Sequence, residues 1–433
     1  MNTFNATQWL REQHVAADLY DPEELISNFM AEMESGLGGR PSSLAMIPAY
    51  VGTEQSVPRN KPVAVIDAGG TNLRVCLASF DLEGNIELSM FSKQPMLGTQ
   101  GALSANAFYA ALADAIEPMM TISDSIGFCF SFPAEITPQF DGRLLHWTKE
   151  IQAPEVVGQC VGQALLSTLA ERGYSNKQVV VLNDTVAALL AGMAKGQTFN
   201  ASSYIGFILG TGTNTAYVEH NGNIAKIPDL DPAGSQVINV ESGGFSKLSR
   251  GPLDLKLDEE SSNPGQHVFE KIISGVYMGP LTLELFKAAC PHAAFSARGS
   301  AAIESMNELS TIHIDNLLAD NGRDTGILGT ETFSGEDRQF MRRVFGAVVD
   351  RAALLTAVNI GAAVIKSEKG AAQERPVCVN IDGSTYYKTT GMPEKVQAHL
   401  AGIMDKHGRH IRCIHVDDAP VVGAAIAGLT TFG

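Results

Sequence analysis

The feature that most restricts what this 433-residue chain can fold into is a motif that occurs twice. At Val63-Ala-Val-Ile-Asp67-Ala-Gly69-Gly70-Thr71-Asn72-Leu-Arg74-Val-Cys-Leu-Ala, an apolar, largely β-branched run ends in an aspartate. Two glycines, a threonine and an asparagine reverse the chain, and a second apolar run leaves. This predicts a β-hairpin whose turn exposes several backbone N–H groups, a concavity suited to phosphate. Asp67, at the strand end, stands where Mg²⁺ on a nucleotide is held through water. No Lys-Ser or Lys-Thr follows and no G-x-G-x-x-G opens a helix, so this is neither a P-loop nor a dinucleotide fingerprint. Alone, Asp-Ala-Gly-Gly reads as an ordinary turn. At Tyr204-Ile-Gly-Phe-Ile-Leu-Gly210-Thr211-Gly212-Thr213-Asn214-Thr-Ala-Tyr-Val-Glu the pattern returns. Two such hairpins predict a duplicated fold that clasps nucleotide between its halves.

The length accommodates two or three domains. A net charge of −16 argues against nucleic acid and anionic membrane as partners, since it repels both, but not against a small anion bound with Mg²⁺ in a local nest. The six cysteines (Cys76, Cys129, Cys160, Cys290, Cys378, Cys413) are scattered and none forms C-x-x-C, which predicts reduced thiols and a cytoplasmic compartment. The first residues lack a basic segment followed by an apolar one, so no signal peptide is predicted. No uninterrupted apolar stretch reaches the ~18 residues that span a bilayer.

Taken in order, Ala6 to about Gly36 shows helical spacing, and Asp21-Pro22-Glu-Glu is a strong helix start, predicting two amphipathic helices. Residues 40–60 predict an extended connection, Ile86–Gln94 a third strand, and Ser104–Met120 a helix. Ser125-Ile-Gly-Phe-Cys-Phe-Ser131-Phe-Pro133 predicts a short strand stopped by proline, then a loop carrying Arg143 to Lys149. A helix is predicted over Val156–Arg172, closed by Gly173. Gln178-Val-Val-Val-Leu-Asn183-Asp184-Thr185 predicts a buried strand delivering two polar residues at its carboxyl end, before a helix over Val186–Lys195. Ligands of open α/β sheets gather at such ends. A domain change is expected at 198–203. Asn239-Val-Glu241 sits in a strand-to-loop turn, and the segment from Asp258 to Glu270 opens a helix with Ser262 or Asn263 as cap. Residues 271–345 read as mostly helical with a break near 321–335, and Phe345–Ile365 as a long alanine-rich helix. Val377-Cys-Val-Asn-Ile-Asp382-Gly383-Ser384 is a strand ending in Asp-Gly, and Val421-Val-Gly423 starts a helix with free N–H groups at Gly423.

These segments, in this order, resemble the eukaryotic-type hexokinase family across nearly the whole chain. Asp67 to Arg74 is similar to the family's first phosphate motif. Ser131-Phe-Pro133, Trp147-Thr148-Lys149, Leu182-Asn183-Asp184, Leu209 to Asn214, and Asp258-Glu-Glu-Ser-Ser-Asn-Pro264 through Glu270-Lys-Ile-Ile-Ser-Gly follow in the family's order. The resemblance implies an α/β, actin-like (ribonuclease H-like, duplicated) two-domain fold with a central cleft closing on a hexose and Mg-ATP. It implies a small domain over residues 61–199, joined by the C-terminal helix 420–433, and a large domain over 1–60 and 200–419. The implied activity is ATP-dependent phosphorylation of a hexose at its 6-hydroxyl, the first step of glycolysis.

The resemblance also implies roles. Asp184 is the catalytic base, with Arg74 and Lys149 beside the transferred group; a positioned base contributes ~10²–10⁴ in rate. Ser131, Thr148, Lys149, Asn183, Asp184, Asn214, Glu241 and Glu270 hold the sugar, whose hydroxyls need paired donors and acceptors. Gly69, Gly70, Thr71 and Asn72 face the transferred phosphoryl group, and Gly210, Thr211, Gly212 and Thr213 the other phosphates. Asp67 orients Mg²⁺, and Gly383, Ser384 and Gly423 lie on the adenosine side. Three departures stand out: Ser242 follows Glu241 where the family has Trp, His267 stands where Gln is common, and Asp417-Asp-Ala-Pro-Val-Val-Gly423 lacks the family's Gly-Ser-Gly run. They bear on hexose choice and adenosine contacts rather than on phosphoryl transfer. Glucose is the expected substrate; a kinase preferring mannose or fructose, or a hexose sensor without strong catalysis, is the alternative. An actin-like or chaperone-like ATPase would need the hairpins but not Ser131, Thr148, Lys149 and Glu270 together. A monomer or homodimer without nucleic-acid or membrane partners is expected.

Overall fold

The computed structural model describes residues 4–148, 151–319 and 326–432. Two helices open the chain, α1 (Ala6–Glu12) and α2 (Pro22–Leu37), capped by the side chains of Asn5 and Asp21 as their sequences predict. α2 buries Leu25, Ile26, Phe29, Met33 and Leu37, one helical stripe. The connection that follows is extended but contributes a short strand, β1 (Ile47–Pro48). The first hairpin is β2 (Val63–Ala68) and β3 (Asn72–Phe80), continued by β4 (Ile86–Pro95). Then come α3 (Ala105–Ile116) and β5 (Ser125–Phe130).

Here the chain departs from expectation. Pro133 stops β5, but the predicted loop contains a small hairpin of its own, β6 (Ala134–Ile136) with β7 (Gly142–Leu144). The next helix, α4 (Val161–Glu171), starts later than Val156, because Gly158 at φ +84° breaks a first 3-10 turn. Asp141, on the β6–β7 turn, accepts from the N–H groups of Gly162 and Gln163 at 2.7 and 2.8 Å, capping α4 from outside it. β8 (Gln178–Leu182) and α5 (Asp184–Gly196) complete this half.

The second half begins with β9 (Ser203–Leu209), β10 (Thr213–His220) and β11 (Ser235–Asn239). Helices follow: α6 (Pro252–Glu259), α7 (Val268–Ile273), α8 (Gly275–Ala289), α9 (Ala297–Ser305), α10 (Thr311–Ala319) and α11 (Gly335–Lys366). Asp258 thus ends α6 rather than opening the next helix. Neither Ser262 nor Asn263 caps α7, because Gly265 (φ +76°) and His267 (φ +50°) are left-handed and delay its start. α11 begins ten residues before Phe345 because Ser334 and Asp337 form a reciprocal capping box. By length and composition α11 could cross a bilayer, against the expectation that nothing would. Yet 89% of its apolar window is buried inside the protein, as befits a core helix. β12 (Val377–Asp382), α12 (Ser384–Lys388), α13 (Met392–Lys406), β13 (Ile411–Ile414) and α14 (Ala419–Thr430) end the chain.

The two large sheets repeat one topology. One runs β4-β3-β2-β5-β8, the other β1-β11-β10-β9-β12-β13. In each an antiparallel meander is extended by two parallel strands from its first member. This is the duplication that the repeated hairpin predicts. The helices between the sheets are exchanged: α5, which follows β8, packs on β9 and β12, while α14, which follows β13, packs on β2 and β5. α5 and α14 also pack on each other, and their buried faces are mostly alanine, glycine, valine and leucine. At Gly423 a Cβ would lie 2.0 Å from the carbonyl oxygen of Ala187, so only glycine admits this approach. Gly423 therefore sits inside α14, past its first turn. It is a packing residue, not the free N–H donor expected from the sequence.

Candidate active site

β2, β5 and β8 are parallel where they adjoin, so the segments after β5 and β8 emerge on the same side as the β2–β3 turn. That geometry gathers residues from several segments around a cleft of about 330 Å³. Asp67, Gly69, Thr71, Asn72, Arg74, Ser131, Asp184 and Gly383 line it, all of them expected from the sequence. Lys93, on β4, and Pro420, in the first turn of α14, line it too and were not foreseen. Gly70 stands in the same turn.

Asp184 owes its position to its neighbour. Asn183, not Asp184, caps α5, its side-chain oxygen accepting from the N–H of Thr185 at 2.8 Å. The Asp184 carboxylate, on the first residue of the helix, therefore contributes to the cleft wall and accepts from Thr185 Oγ1 at 3.3 Å. Asp67 is buried, and its Oδ2 accepts from Arg74 Nε at 2.6 Å and lies 2.5 Å from Nη2. The register makes this pair, since Asp67 and Arg74 face each other across β2 and β3. Arg74 Nη1 reaches Asp418 at 2.6 Å, joining the hairpin to the start of α14. Burial raises the Asp67 carboxyl above the ordinary aspartate range, and the guanidinium of Arg74 works against that rise. Burial also pushes the Cys129 thiol, beside Asp67 and Asp184, well above its usual value.

A second cluster lies on the other sheet. Glu241 leaves the end of β11 in a left-handed conformation, φ +58°. Its Oε1 accepts from the side-chain amides of Asn214 (3.0 Å) and Asn239 (2.8 Å). Glu270 Oε2 accepts from the N–H of Thr213 at 3.0 Å, which ties this glutamate to the β9–β10 turn. A Cβ at Gly212 in that turn would lie 2.5 Å from Glu270 Oε2, so any larger residue there would displace the carboxylate. Burial, as the leading cause, raises both glutamates above their ordinary range, and His267 opposes the rise at each. The negative charge of Asp184 pushes Asp67 and Glu241 further up, so Asp184 is felt at both.

The loop that brings Glu270 here is held by a hub. Asp258 accepts from Lys271 Nζ (2.6 Å), Arg250 (2.7 Å) and the N–H of Gly265 (3.0 Å). Burial disfavours its charge, but these donors prevail and hold its carboxyl at about 2. The rest of the second turn is anchored by neutral contacts. The carbonyl of Gly210 accepts from Thr385 Oγ1 (2.7 Å) and from the N–H of Gly275 (3.0 Å). Gly383 packs at φ +113° against Leu209, where a Cβ would meet its carbonyl oxygen at 2.2 Å. Thr211, Gly275, Ser384 and Thr385 open onto a larger cavity of about 940 Å³ with Pro280, Leu283, Ile312 and Lys388.

Thr148 lies half-buried in the coil after β7. Next to it Trp147 packs against Phe108, Phe130 and Phe132 and donates to the carbonyl of Ala153 at 2.6 Å. Lys149 lies outside the described residues. Ser242, standing where tryptophan was expected, is fully buried, and its hydroxyl meets Thr215 Oγ1 at 3.0 Å and the Asn359 amide at 3.1 Å. Asp418, Thr385 and Asn359 thus join the site's surroundings without a signal in the sequence, whereas Asn239 belongs to the polar strand-to-loop turn read there.

Two family models described as hexokinase match the chain, one over residues 11–194 and the other over 204–430. It is 30% identical over 457 residues to Hexokinase-2 of Oryza sativa subsp. japonica, a match covering 97% of this chain and 92% of that one. Glucokinase of Aspergillus niger is 27% identical, with 93% and 92% covered. Among solved structures, hexokinase from Schistosoma mansoni complexed with glucose superposes with a TM-score of 0.77 at 25% identity, covering 98% of this chain and all (100%) of that one. A glucokinase from an Antarctic psychrotroph shares the fold, with a TM-score of 0.52 at 16% identity over 86% of this chain and 99% of that chain.

Proposed function

We propose, from the premise that this chain belongs to the hexokinase family, that it transfers the γ-phosphoryl group of Mg-ATP to the 6-hydroxyl of a hexose, glucose foremost, and so opens glycolysis. The chain is a sugar kinase of the actin-like two-domain fold, with ATP as phosphate donor. One observation carries the finer reading. Asp184 lies within electrostatic reach of both the Asp67–Arg74 pair of the phosphate cleft and Glu241 of the amide-and-glutamate cluster.

In this reading the sugar sits against Ser131, Thr148, Lys149, Asn183, Asn214, Glu241 and Glu270. Each carboxylate accepts from a hydroxyl, and a substrate lacking that hydroxyl leaves a buried acceptor unpaired, which gives discrimination. Asp184, aimed by the Asn183 cap, takes the proton of the 6-hydroxyl as its oxygen attacks phosphorus. Arg74 and the N–H groups of residues 69–72 face the transferred phosphoryl group. Those of residues 210–213 hold the remaining phosphates, and Thr211, Ser384 and the larger cavity receive the nucleoside. Asp67 fits Mg²⁺ as an oxygen donor at the turn. Among the described residues no three His, Cys, Asp or Glu side chains are grouped as a metal cage, so the nucleotide's own phosphates and water would supply most ligands. When bound, the ion neutralises charge building on the phosphates.

The small lobe (61–199 with 420–433) and the large lobe (1–60 with 200–419) then close on the sugar and exclude water before transfer. A cytoplasmic location fits the six free cysteines, four of them buried. The test is coupled ADP release with Mg-ATP against glucose, mannose, fructose and N-acetylglucosamine, with Asp184→Ala alongside. The expected result is sugar-dependent release that falls by ~10²–10⁴ in the variant while glucose still binds. Near-wild-type turnover in the variant would remove Asp184 as base, and release that does not depend on sugar would remove the hexose as acceptor.

A further inference from the structure

Behind the glutamate cluster lies a closed ring of three neutral side chains. Thr215 Oγ1 donates to Asn359 Oδ1 at 2.9 Å, Asn359 Nδ2 donates to Ser242 Oγ at 3.1 Å, and Ser242 Oγ lies 3.0 Å from Thr215 Oγ1. With Thr215 and Asn359 donating in this sense, the remaining proton of Ser242 closes the ring, so that each member gives one hydrogen bond and accepts one. All three are fully buried. An amide is what the ring needs from α11, since it offers a donor and an acceptor at once and carries no charge into the core. A leucine would strand two hydroxyls, and an aspartate would bury a charge.

The ring is joined to the sugar cluster through the backbone. Thr215 and Ser242 send their N–H groups to the same atom, Asn214 Oδ1, at 2.7 and 3.2 Å. That fixes the Asn214 amide, so its Nδ2 points to Asn239 and Glu241 at 2.8 and 3.0 Å. Asn239 in turn donates to Glu241. The side chain of Asn359, deep in α11, is thus coupled step by step to the orientation of the Glu241 carboxylate. The departure at Ser242 belongs to this device, as a tryptophan in the same backbone position has no hydroxyl to meet Asn359.

We infer that Thr215, Ser242 and Asn359 form a positioning ring for hexose recognition, with Asn359 as its keystone. The inference rests on the reading of Glu241 as a hexose ligand. None of the three is a catalytic residue. They act by aiming Asn214 and Glu241, and a network of this kind holds its members only when every bond is made.

The test compares Thr215→Val, which keeps shape and removes the hydroxyl, with Thr215→Ser, which keeps the hydroxyl, and with Asn359→Leu. All are made in the full chain and followed by ADP release and thermal melting. Thr215→Val and Asn359→Leu are expected to raise the KM for glucose about ten-fold, as when a buried partner is misplaced, and to narrow the preference between glucose and mannose. The KM for Mg-ATP is expected to stay within about two-fold of wild type, and Thr215→Ser to preserve both sugar parameters. If Asn359→Leu fails to fold, the valine and serine variants carry the test. A Thr215→Val enzyme with unaltered glucose KM and preference overturns the inference, as does a fall in kcat and melting temperature without a change in KM, which marks a plain core defect. Glu241→Gln separates the two levels. If it leaves the glucose KM untouched, the hexose reading of the cluster fails; if it raises KM while the ring variants do not, only the ring fails.

Discussion

The turns of β2–β3 and β9–β10 share one backbone plan and sit at equivalent places in equivalent sheets, yet they are held by different physics. The first is held by charge. Asp67 and Arg74 pair across the hairpin, and Arg74 reaches on to Asp418, so the turn is embedded in partly buried ions. The second has no charged residue of its own between Leu209 and Asn214. Its carbonyl at Gly210 is taken by Thr385 and Gly275 and its N–H at Thr213 by Glu270, and Gly383 packs on Leu209 so closely that a Cβ there would not fit. Duplication supplied the same concavity twice; the surroundings made one turn an electrostatic device and the other an uncharged spacer.

The sharpest way to break this contrast is at Asp67. Asp67→Ala removes the acceptor that fixes Arg74, and kcat is expected to fall by ~10²–10³ with glucose KM within about two-fold of wild type. A loss falling equally on sugar binding, in steady-state titrations of each substrate, would show that the two turns are not separable. Gly212→Ala should act in the opposite sense and less strongly. Its methyl collides with Glu270 Oε2, so glucose KM is expected to rise about ten-fold while kcat at saturating sugar changes little. An unchanged KM would mean that the spacer yields.

The smallest effect is in pH. Burial raises Glu241 and Glu270, so as pH falls they take up protons earlier than an ordinary glutamate, near ~4.3, and lose the ability to accept from hydroxyls. The kcat/KM for glucose is therefore expected to drop on the acid side before the ordinary carboxylate range is reached. The shift should vanish in Glu241→Gln if that residue is responsible, as a pH profile of both enzymes would reveal.

The sequence carried the local part of this architecture. Hairpins, capped helices and the polar end of β8 are written in contiguous residues, and so the cleft residues Asp67, Arg74, Ser131 and Asp184 were legible. What was not legible is pairing over distance. Arg74 and Asp418 are separated by 344 positions, and Thr215 and Asn359 by 144. No local pattern marks a partner that far away. Asn359 is especially silent, because one more polar residue in a helix that also carries Asp350, Arg351 and Thr356 gives no sign of its partner. The β6–β7 hairpin was missed for another reason: strands of three residues carry too little alternation to outweigh the loop signals around them. Gly423 was misread because its role depends on Ala187 of another helix, where the sequence offered only a glycine near a helix start.

The contact between α5 and α14 has a consequence for timing. Where backbone meets backbone there is no slack for one helix to shift against the other, so α5 and α14 move as one piece with the proposed small lobe. Asp184 rides on the first residue of α5. The closing proposed above would therefore aim the proton acceptor in the same motion that shuts out solvent, and the enzyme would need no separate trigger to tell its base when the sugar has arrived.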